Sequence, residues 1–579
     1  MKRLKFFLCV TLAVVGVGFL VASAVEAAIT TSGDVTPTPS SWSTSTSDYY
    51  VGNSDNGSIT IDNGSSLNTN KTTTLYLYLG NTAGIAGTIN ITGAGSSLDT
   101  TTTPTYVGYS GTGVVNVRSG GNFISNYTYL SSGTINIDGV GSALTNTYRL
   151  LVGWLGTGKI NVSNGGTLNT ENHDGTYIGY TDTGLVAVDG AGSTWNHAGT
   201  LSISLGYNST TGYGMVSVTN GGTVNSTGGY LINKGLTTVD GVGSSLTVQN
   251  YFRIRNGNLN VLNGGTVTAG TTTSGSTKDT IIGYGSGDTG KATVDGVGSQ
   301  WTNSGTLYVG NTGSGTRTGY LSIADGGAVV ANAVSINAVS TFTTDVGYGS
   351  TLAVGSGGIT NNGTIRLVAG AGTGVGTYSP ITNAGSWSGN TPQALGGVWN
   401  DANHTVTVNA AATAAAGAAT TFDLASTQRV LITDAATGQS VGAAFQAATA
   451  PTNLTITATA IADLAGLKGQ LASGTAVLSA WDFTITQGYT SGSPVYLSLF
   501  AGSNQSLSTL SIWHYDGSTW SAFTANDLAY DGTYASFTAT GFSGYAVSGT
   551  APVPIPAAVW LLGSGLAGLV GMRRRLFRK

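Results

Sequence analysis

Residues 134–142 read Thr-Ile-Asn-Ile-Asp-Gly-Val-Gly-Ser. Ile135 and Ile137 alternate with Thr134 and Asn136, the period-two pattern of a strand with one buried face. The Asp-Gly-x-Gly-Ser that follows puts glycines where a tight corner needs positive φ, beside an Asp able to form an Asx-turn. The same turn recurs at Asp189–Ser193, Asp240–Ser244 and Asp295–Ser299, with a variant at Thr92–Ser96. Successive starts lie 46, 51, 51 and 55 residues apart. Between the copies stands a second turn, a Gly-Gly pair after a short β-rich run: Gly120-Gly121, Gly165-Gly166, Gly221-Gly222, Gly264-Gly265 and Gly326-Gly327. A third mark is an apolar residue, Gly and an aromatic ring, as in Val107-Gly108-Tyr109 and Ile178-Gly179-Tyr180.

Strand-like stretches also occur at Lys159–Val162 and Tyr320–Ile323, and no long helical period appears between Thr30 and Asn390. A repeat of about 20–30 residues, made of strands and tight corners, predicts a parallel β-helix whose coils bury a core only by stacking. About 12 coils fit between residues 45 and 385, a shaft of about 55–60 Å at roughly 4.8 Å per strand. A β-propeller needs four antiparallel strands in about 40–50 residues. The paired turns match that size, but their half-repeat alternation favours the helix.

The composition agrees. Of 579 residues, 90 are Gly, 8% are charged and one is Cys. Of 25 acids only Glu26 and Glu171 are glutamates, so the acids are mostly the turn-forming Asp. With 40% hydrophobic residues and small net charge, simple disorder is disfavoured. Past residue 395 the turn motifs stop. An Ala-rich stretch, 409–421, leads to longer strands at 495–500, 510–515, 520–523, 534–540 and 544–548, with an Asp516-Gly517 hairpin signal. Residues 396–549 are predicted to form a small antiparallel β-sandwich. At most a short helical turn is expected at 463–470. The fold class is thus all-β: a right-handed parallel β-helix over 28–395, then the sandwich.

Both ends read as addresses. Lys2, Arg3 and Lys5 precede an apolar run from Phe6 to Val25, and small residues lead up to Ala27. This predicts a secretory signal peptide, residues 1–27, removed by signal peptidase after Ala27. The single Cys9 lies within it, so the exported chain has neither disulfide nor thiol. At the other end, Val553-Pro554-Ile555-Pro556-Ala557 opens an apolar span to Met572, followed by Arg573, Arg574, Arg575, Arg578 and Lys579. The span is long enough, at about 27 Å, for a short transmembrane helix with its basic end in the cytoplasm. Without the three basic residues and Glu26 of the leader and the five basic residues of the tail, 13 basic and 24 acidic residues remain, net −11. Nothing there is basic enough for nucleic acid.

Two resemblances follow from these residues. The tail, residues 550–579, resembles the PEP-CTERM class of bacterial sorting signals in a Val-Pro-x-Pro-Ala form, with Ile555 where the common form has Glu. That resemblance implies processing by an exosortase after a transient stay in the inner membrane. The repeats over about 50–360, including Val188–Trp195, resemble passenger repeats of autotransporter-type proteins. This implies a surface-exposed, often adhesive β-helix. No barrel-sized segment follows the repeats, so self-export is not implied.

The search for chemistry is lean. His173, His197, His404 and His514 form no His-x-x-x-His pair. Glu171-Asn172-His173-Asp174 is the one dense polar cluster and reads as a solvated loop. His197 reads as a rim residue. Arg253 and Arg255 fall on one side of a strand and read as a solvated face, a carboxylate clamp being the alternative. The recurring Asp residues read as turn geometry rather than catalysis or calcium sites. The best binding candidates are the rings after Gly: Tyr109, Trp154, Tyr180, Tyr207, Tyr284 and Tyr348. Their role is an aromatic ladder between coils or a platform for sugar rings. No catalytic residue, metal site or cofactor is assigned. The expectation is a non-catalytic, exported adhesive or structural protein of the cell envelope, surface or extracellular matrix, associated with biofilm, exopolysaccharide or other cell surfaces. The alternative is a β-helical polysaccharide lyase or hydrolase.

Overall fold

The computed structural model describes residues 28–69, 75–171, 174–207, 210–270, 279–311, 313, 315–471 and 476–550. The chain is all-β, with a parallel β-solenoid of about 13 turns and little helix. One turn shows the plan. Gly158–Ser163 forms face A, Thr167–Thr170 face B and Thr176–Ile178 face C; Thr183–Asp189 then returns to face A beside its start. Gly158 pairs with Gly184 and Ser163 with Asp189, all parallel. Face A continues in this way from Gly57–Asp62 to Gln393–Leu395. In five turns the B and C strands run through their corner without a break, as in Asn122–Leu130 and Gln300–Val309.

Period-two alternation aims one set of side chains inward, and stacking sets them in columns. On face A, Ile61, Ile91, Val117, Ile137, Val162, Val188 and Val218 occupy equivalent registers and are buried. On face B the column runs Leu144, Leu168, Trp195, Val224, Leu246, Val267 and Trp301. Full burial of each such side chain is worth about 1.5–3 kcal/mol. Outside, Asn90, Asn116, Asn136 and Asn161 form an amide ladder with bonds of 2.8–2.9 Å between successive turns.

The two kinds of A-to-B corner alternate because they interlock. Ser142 Oγ donates to Asp138 O and accepts from Gly120 N–H of the preceding Gly-Gly turn. Ser193 does the same with Asp189 and Gly165, Ser244 with Asp240 and Gly221, and Ser299 with Asp295 and Gly264. Asp138 Oδ1 accepts from Ser163 and Asn164 of the next turn, and Asp189 Oδ1 from Thr219 and Asn220. The residue between the two glycines lies over the next turn's Gly. A Cβ on Gly165 would come within 2.9 Å of Val140 Cγ2. Asn164, at φ 51°, supplies the left-handed corner beside it.

The N-terminal edge is covered. Ala28–Gly33 pairs antiparallel with Gly57–Asp62, and Trp42, on a short 3₁₀ turn, is buried against Tyr49. Ala28–Gly33 is thus the outermost strand of face A, and Trp42 closes the end of the core. At the other end, Gly376–Tyr378, Val398–Asn400 and Thr405–Val408 form a small antiparallel sheet whose Val406 and Val408 belong to the solenoid core. In core packing, Val408 belongs with the solenoid and Ala412 with the sheets that follow.

From there two six-stranded sheets face each other, antiparallel except for the Ala412–Ala415/Arg429–Thr433 pair. Trp481, Phe483, Leu497, Phe537, Tyr545 and Val547 form their common core. Leu464–Gln470 is a short helix, with Asp463 accepting from Gly466 N–H. Among the described residues no helix is long and apolar enough to cross a membrane. The signal peptide with Ala27 and the tail with Val553–Ala557 and Arg573–Arg575 lie outside the described residues.

Candidate functional site

In most face C strands the middle residue points outward between two buried neighbours. In the first turns it is Tyr50, Tyr78, Tyr106 and Tyr129, held opposite one another by the register. Their rings stack at 5.5, 5.1 and 4.8 Å with planes within 14° of parallel. Tyr109, from the C-to-A corner, meets Tyr78 and Tyr106 edge-on at 5.2 and 5.5 Å. Trp154 leans on Tyr106, Tyr109 and Tyr129. Burial, aided by the negative charge of Asp48, pushes the Tyr78 phenol up to about 12.

Leu151 interrupts the column, and a second patch follows. Tyr177 packs edge-on against Tyr180 and Tyr207, which stack at 5.3 Å. Arg149 pairs with Asp174 nearby. A third patch holds Arg253 between the rings of Tyr251 and Tyr284, at 4.2 and 4.3 Å. Face C thus carries aromatic surface over successive turns. The stacked rings cover each other's faces, whereas Tyr109 and Tyr207 are 37% and 52% exposed.

Five of the six rings picked from sequence therefore share this corner: Tyr109, Trp154, Tyr180, Tyr207 and Tyr284. Tyr348 does not. It follows a face A strand, and its hydroxyl donates to Asp531 of the sandwich at 2.8 Å. The strand-centre rings Tyr50, Tyr78, Tyr106, Tyr129 and Tyr177 were missed. Their signal is position: each lies two residues before the corner, outward by the period-two rule.

Other candidates resolve differently. His197 is not on the rim but inside the shaft, where Nδ1 meets Thr170 Oγ1 at 3.0 Å and Nε2 meets Leu201 O at 2.8 Å. It stands two residues after buried Trp195, so both point inward, and burial lowers its pKa. Arg253 and Arg255 form no clamp, because Arg255 Nε donates to Asp288 at 2.7 Å while Arg253 sits on rings. His404 stacks with Trp387 and Trp399. His514 Nε2 meets Ser543 Oγ at 2.7 Å. Asn172 and His173 lie outside the described residues. No group of three or more His, Cys, Asp or Glu among the described residues could hold a metal ion.

The solenoid–sandwich joint gathers acids instead. Asp295 and Asp345 end A-face strands, Asp325 follows the strand between them, and Asp531 meets them from the sandwich beside Tyr348, Tyr496 and Tyr530. Asp345 Oδ2 accepts from Asp325 N–H at 2.7 Å, while its Oδ1 and Asp295 Oδ2 have no partner. Burial pushes Asp345 up to about 7, against a hydrogen bond from Ser350, and Asp325 up to about 6, with Asp531 adding to the rise. Arg429, nearby, spends its guanidinium on Gly370, Thr373 and Asn409 carbonyls.

Comparison with known proteins adds one limited likeness. No protein-family model matches the chain, and no solved structure matches it. Over 173 residues, 28% of this chain, it is 30% identical to the adhesin BmaC autotransporter of Brucella suis biovar 1 (strain 1330). The chain spans about 4% of that adhesin's length.

Proposed function

We propose that this chain is an exported, surface-exposed, adhesin-like structural protein that binds glycan along the aromatic edge of its shaft and carries out no catalysis. The observation that carries the reading is the in-register ring array of face C, with its outermost members left accessible. Rings of this kind combine a large apolar face with a polar handle. A repeated shaft multiplies weak contacts along an extended polymer. The likeness to an autotransporter adhesin supports a surface role. The non-catalytic reading is supported by the recurring Asp138 and Asp189, whose carboxylates are engaged between turns.

The test is binding of the exported chain to a panel of immobilised polysaccharides. Replacing Tyr109, Trp154 and Tyr207 together by Ala is expected to weaken the best binder at least tenfold while the β circular dichroism is retained. Unchanged binding would sink the reading.

Sorting is part of the same proposal. The Pro-containing motif Val553–Ala557, the apolar span and Arg573–Arg575 are read as an exosortase signal that delivers the protein to the envelope, surface or matrix. Changing Pro554 and Pro556 to Ala should leave an uncut inner-membrane form. Peptides spanning residues 560–572 in exported protein would defeat that part and restore a plain anchor.

A further inference from the structure

At the joint, the outer side of face A and the sandwich enclose a groove of about 250 Å³, separate from the aromatic edge. The solenoid supplies Tyr320, Thr343 and Arg366; the sandwich supplies Phe523, Asn526 and Asp527. Sites at module boundaries, with a few convergent polar groups, are where small ligands are held. This one lies just below the range of about 300–1,000 Å³ typical of drug-sized ligands, room for a single ring rather than a chain.

Charge is the informative feature. Arg366 is largely buried and makes no hydrogen bond or ion pair; its Nε is enclosed without an acceptor. Lys291, across the ladder from Tyr320, is also largely buried and has no acceptor. Asp527 does not answer this charge by contact. Its carboxylate accepts from Thr538 N–H and Oγ1 and from Thr343 Oγ1. Buried charges are ordinarily paired. Asp527 acts on both cations through space but touches neither, so neither has a contacting anion.

We propose that the groove binds one carboxylate-bearing sugar unit, with Arg366 taking the carboxylate, Asn526 and the threonine hydroxyls taking ring hydroxyls, and Phe523 and Tyr320 lining the ring. The planar guanidinium fits a carboxylate in two parallel bonds. A wall of hydroxyls, an amide and two rings suits a saccharide better than a bare inorganic anion. The site stands apart from the aromatic edge, and neither depends on the other.

Calorimetry on the full chain at low salt tests it with galacturonate, glucose, acetate and inorganic sulfate. Galacturonate is expected to bind at least tenfold more tightly than each of the others. Arg366→Gln should lose at least tenfold in galacturonate affinity and raise the Tm of the ligand-free protein, because an uncompensated buried charge is removed. A merely structural Arg366 would lower the Tm instead. Equal affinity for glucose, acetate or sulfate, absence of galacturonate binding, or an Arg366→Gln variant that binds as before would overturn the proposal. Should Arg366→Gln fail to fold, Asn526→Ala carries the test with the same expected loss. Galacturonate affinity should survive the Tyr109/Trp154/Tyr207 triple variant, which separates this site from the glycan edge.

Discussion

The solenoid and the sandwich solve one problem in opposite ways. The solenoid's core is a set of columns, Val beneath Ile and Leu beneath Trp, and each coil touches mainly the coils above and below. The sandwich builds its core once, from Trp481, Phe483, Phe537 and Tyr545 brought from distant strands. A repeat array fails locally, turn by turn, whereas a single non-repeating core fails as a unit. The difference can be broken or sharpened by perturbing each region.

The largest effect is expected in the sandwich. Trp481 is fully buried, and Trp481→Ala should cost about 3–5 kcal/mol. Thermal unfolding followed by hydrogen exchange should show the whole of residues 412–550 losing protection together while the solenoid's middle turns keep theirs. Equal loss in both regions would mean that they unfold as one body and that the contrast drawn above is false.

The joint between the regions responds to pH. Asp345 and Asp325 have pKa values raised to about 7 and about 6, from an ordinary 3.8. A carboxyl whose pKa is higher folded than unfolded favours the folded form while it stays protonated. That stabilisation is fully present below about pH 4 and is lost as pH rises through 6 and 7. Asp295, Asp531 and the phenols of Tyr348, Tyr496 and Tyr530 surround the pair, and Arg429 is committed to carbonyls, so no cation offsets ionisation. Both acids therefore contribute to a loss of stability that falls between about pH 4 and 8. Melting scans across that range should show the sandwich transition falling with pH. Asp345→Asn should flatten much of that slope and raise the transition at pH 8. A flat wild-type profile would show that the acids are not closed in by the joint.

How far these features could be read in the sequence follows the same contrast. The corner Asp-Gly-x-Gly-Ser is written several times, so its role as geometry was legible, and the register later gave the reason for its alternation. The strand-centre tyrosines were legible in principle, but Tyr109 and Tyr180, marked by a preceding Gly, drew attention from Tyr106 and Tyr177. Tyr348 carries the same Gly-Tyr mark yet lies on another corner, because a motif records local conformation and not which face has been reached. The joint was not legible. Tyr348 and Asp531 are 183 residues apart, and each half of such a contact is written once.

The smallest expected effect examines the interlocking corners. Ser193 is buried, donates to Asp189 O at 2.6 Å and accepts from Gly165 N–H at 3.1 Å. Ser193→Ala removes both bonds and leaves an amide facing no acceptor, at a cost of about 1–2 kcal/mol. In a stack of nearly independent turns that cost should stay near its source. Exchange of the Gly165 amide should rise about tenfold or more, as should exchange of its neighbours in the turns at 158–170 and 183–197. The sandwich transition and the turns beyond residue 260 should not move. Asn164→Ala is the companion measurement. It keeps the serine but puts Ala, which tolerates the left-handed region less well than Asn, at φ 51° and removes the amide's bond to Asp138 Oδ1, a combined cost of about 1–2 kcal/mol. If both variants loosen the same turns by similar amounts, the corner acts as one unit built from two motifs. If Ser193→Ala lowers the stability of the whole shaft, the turns are strongly coupled and the nearest-neighbour picture of the solenoid is wrong.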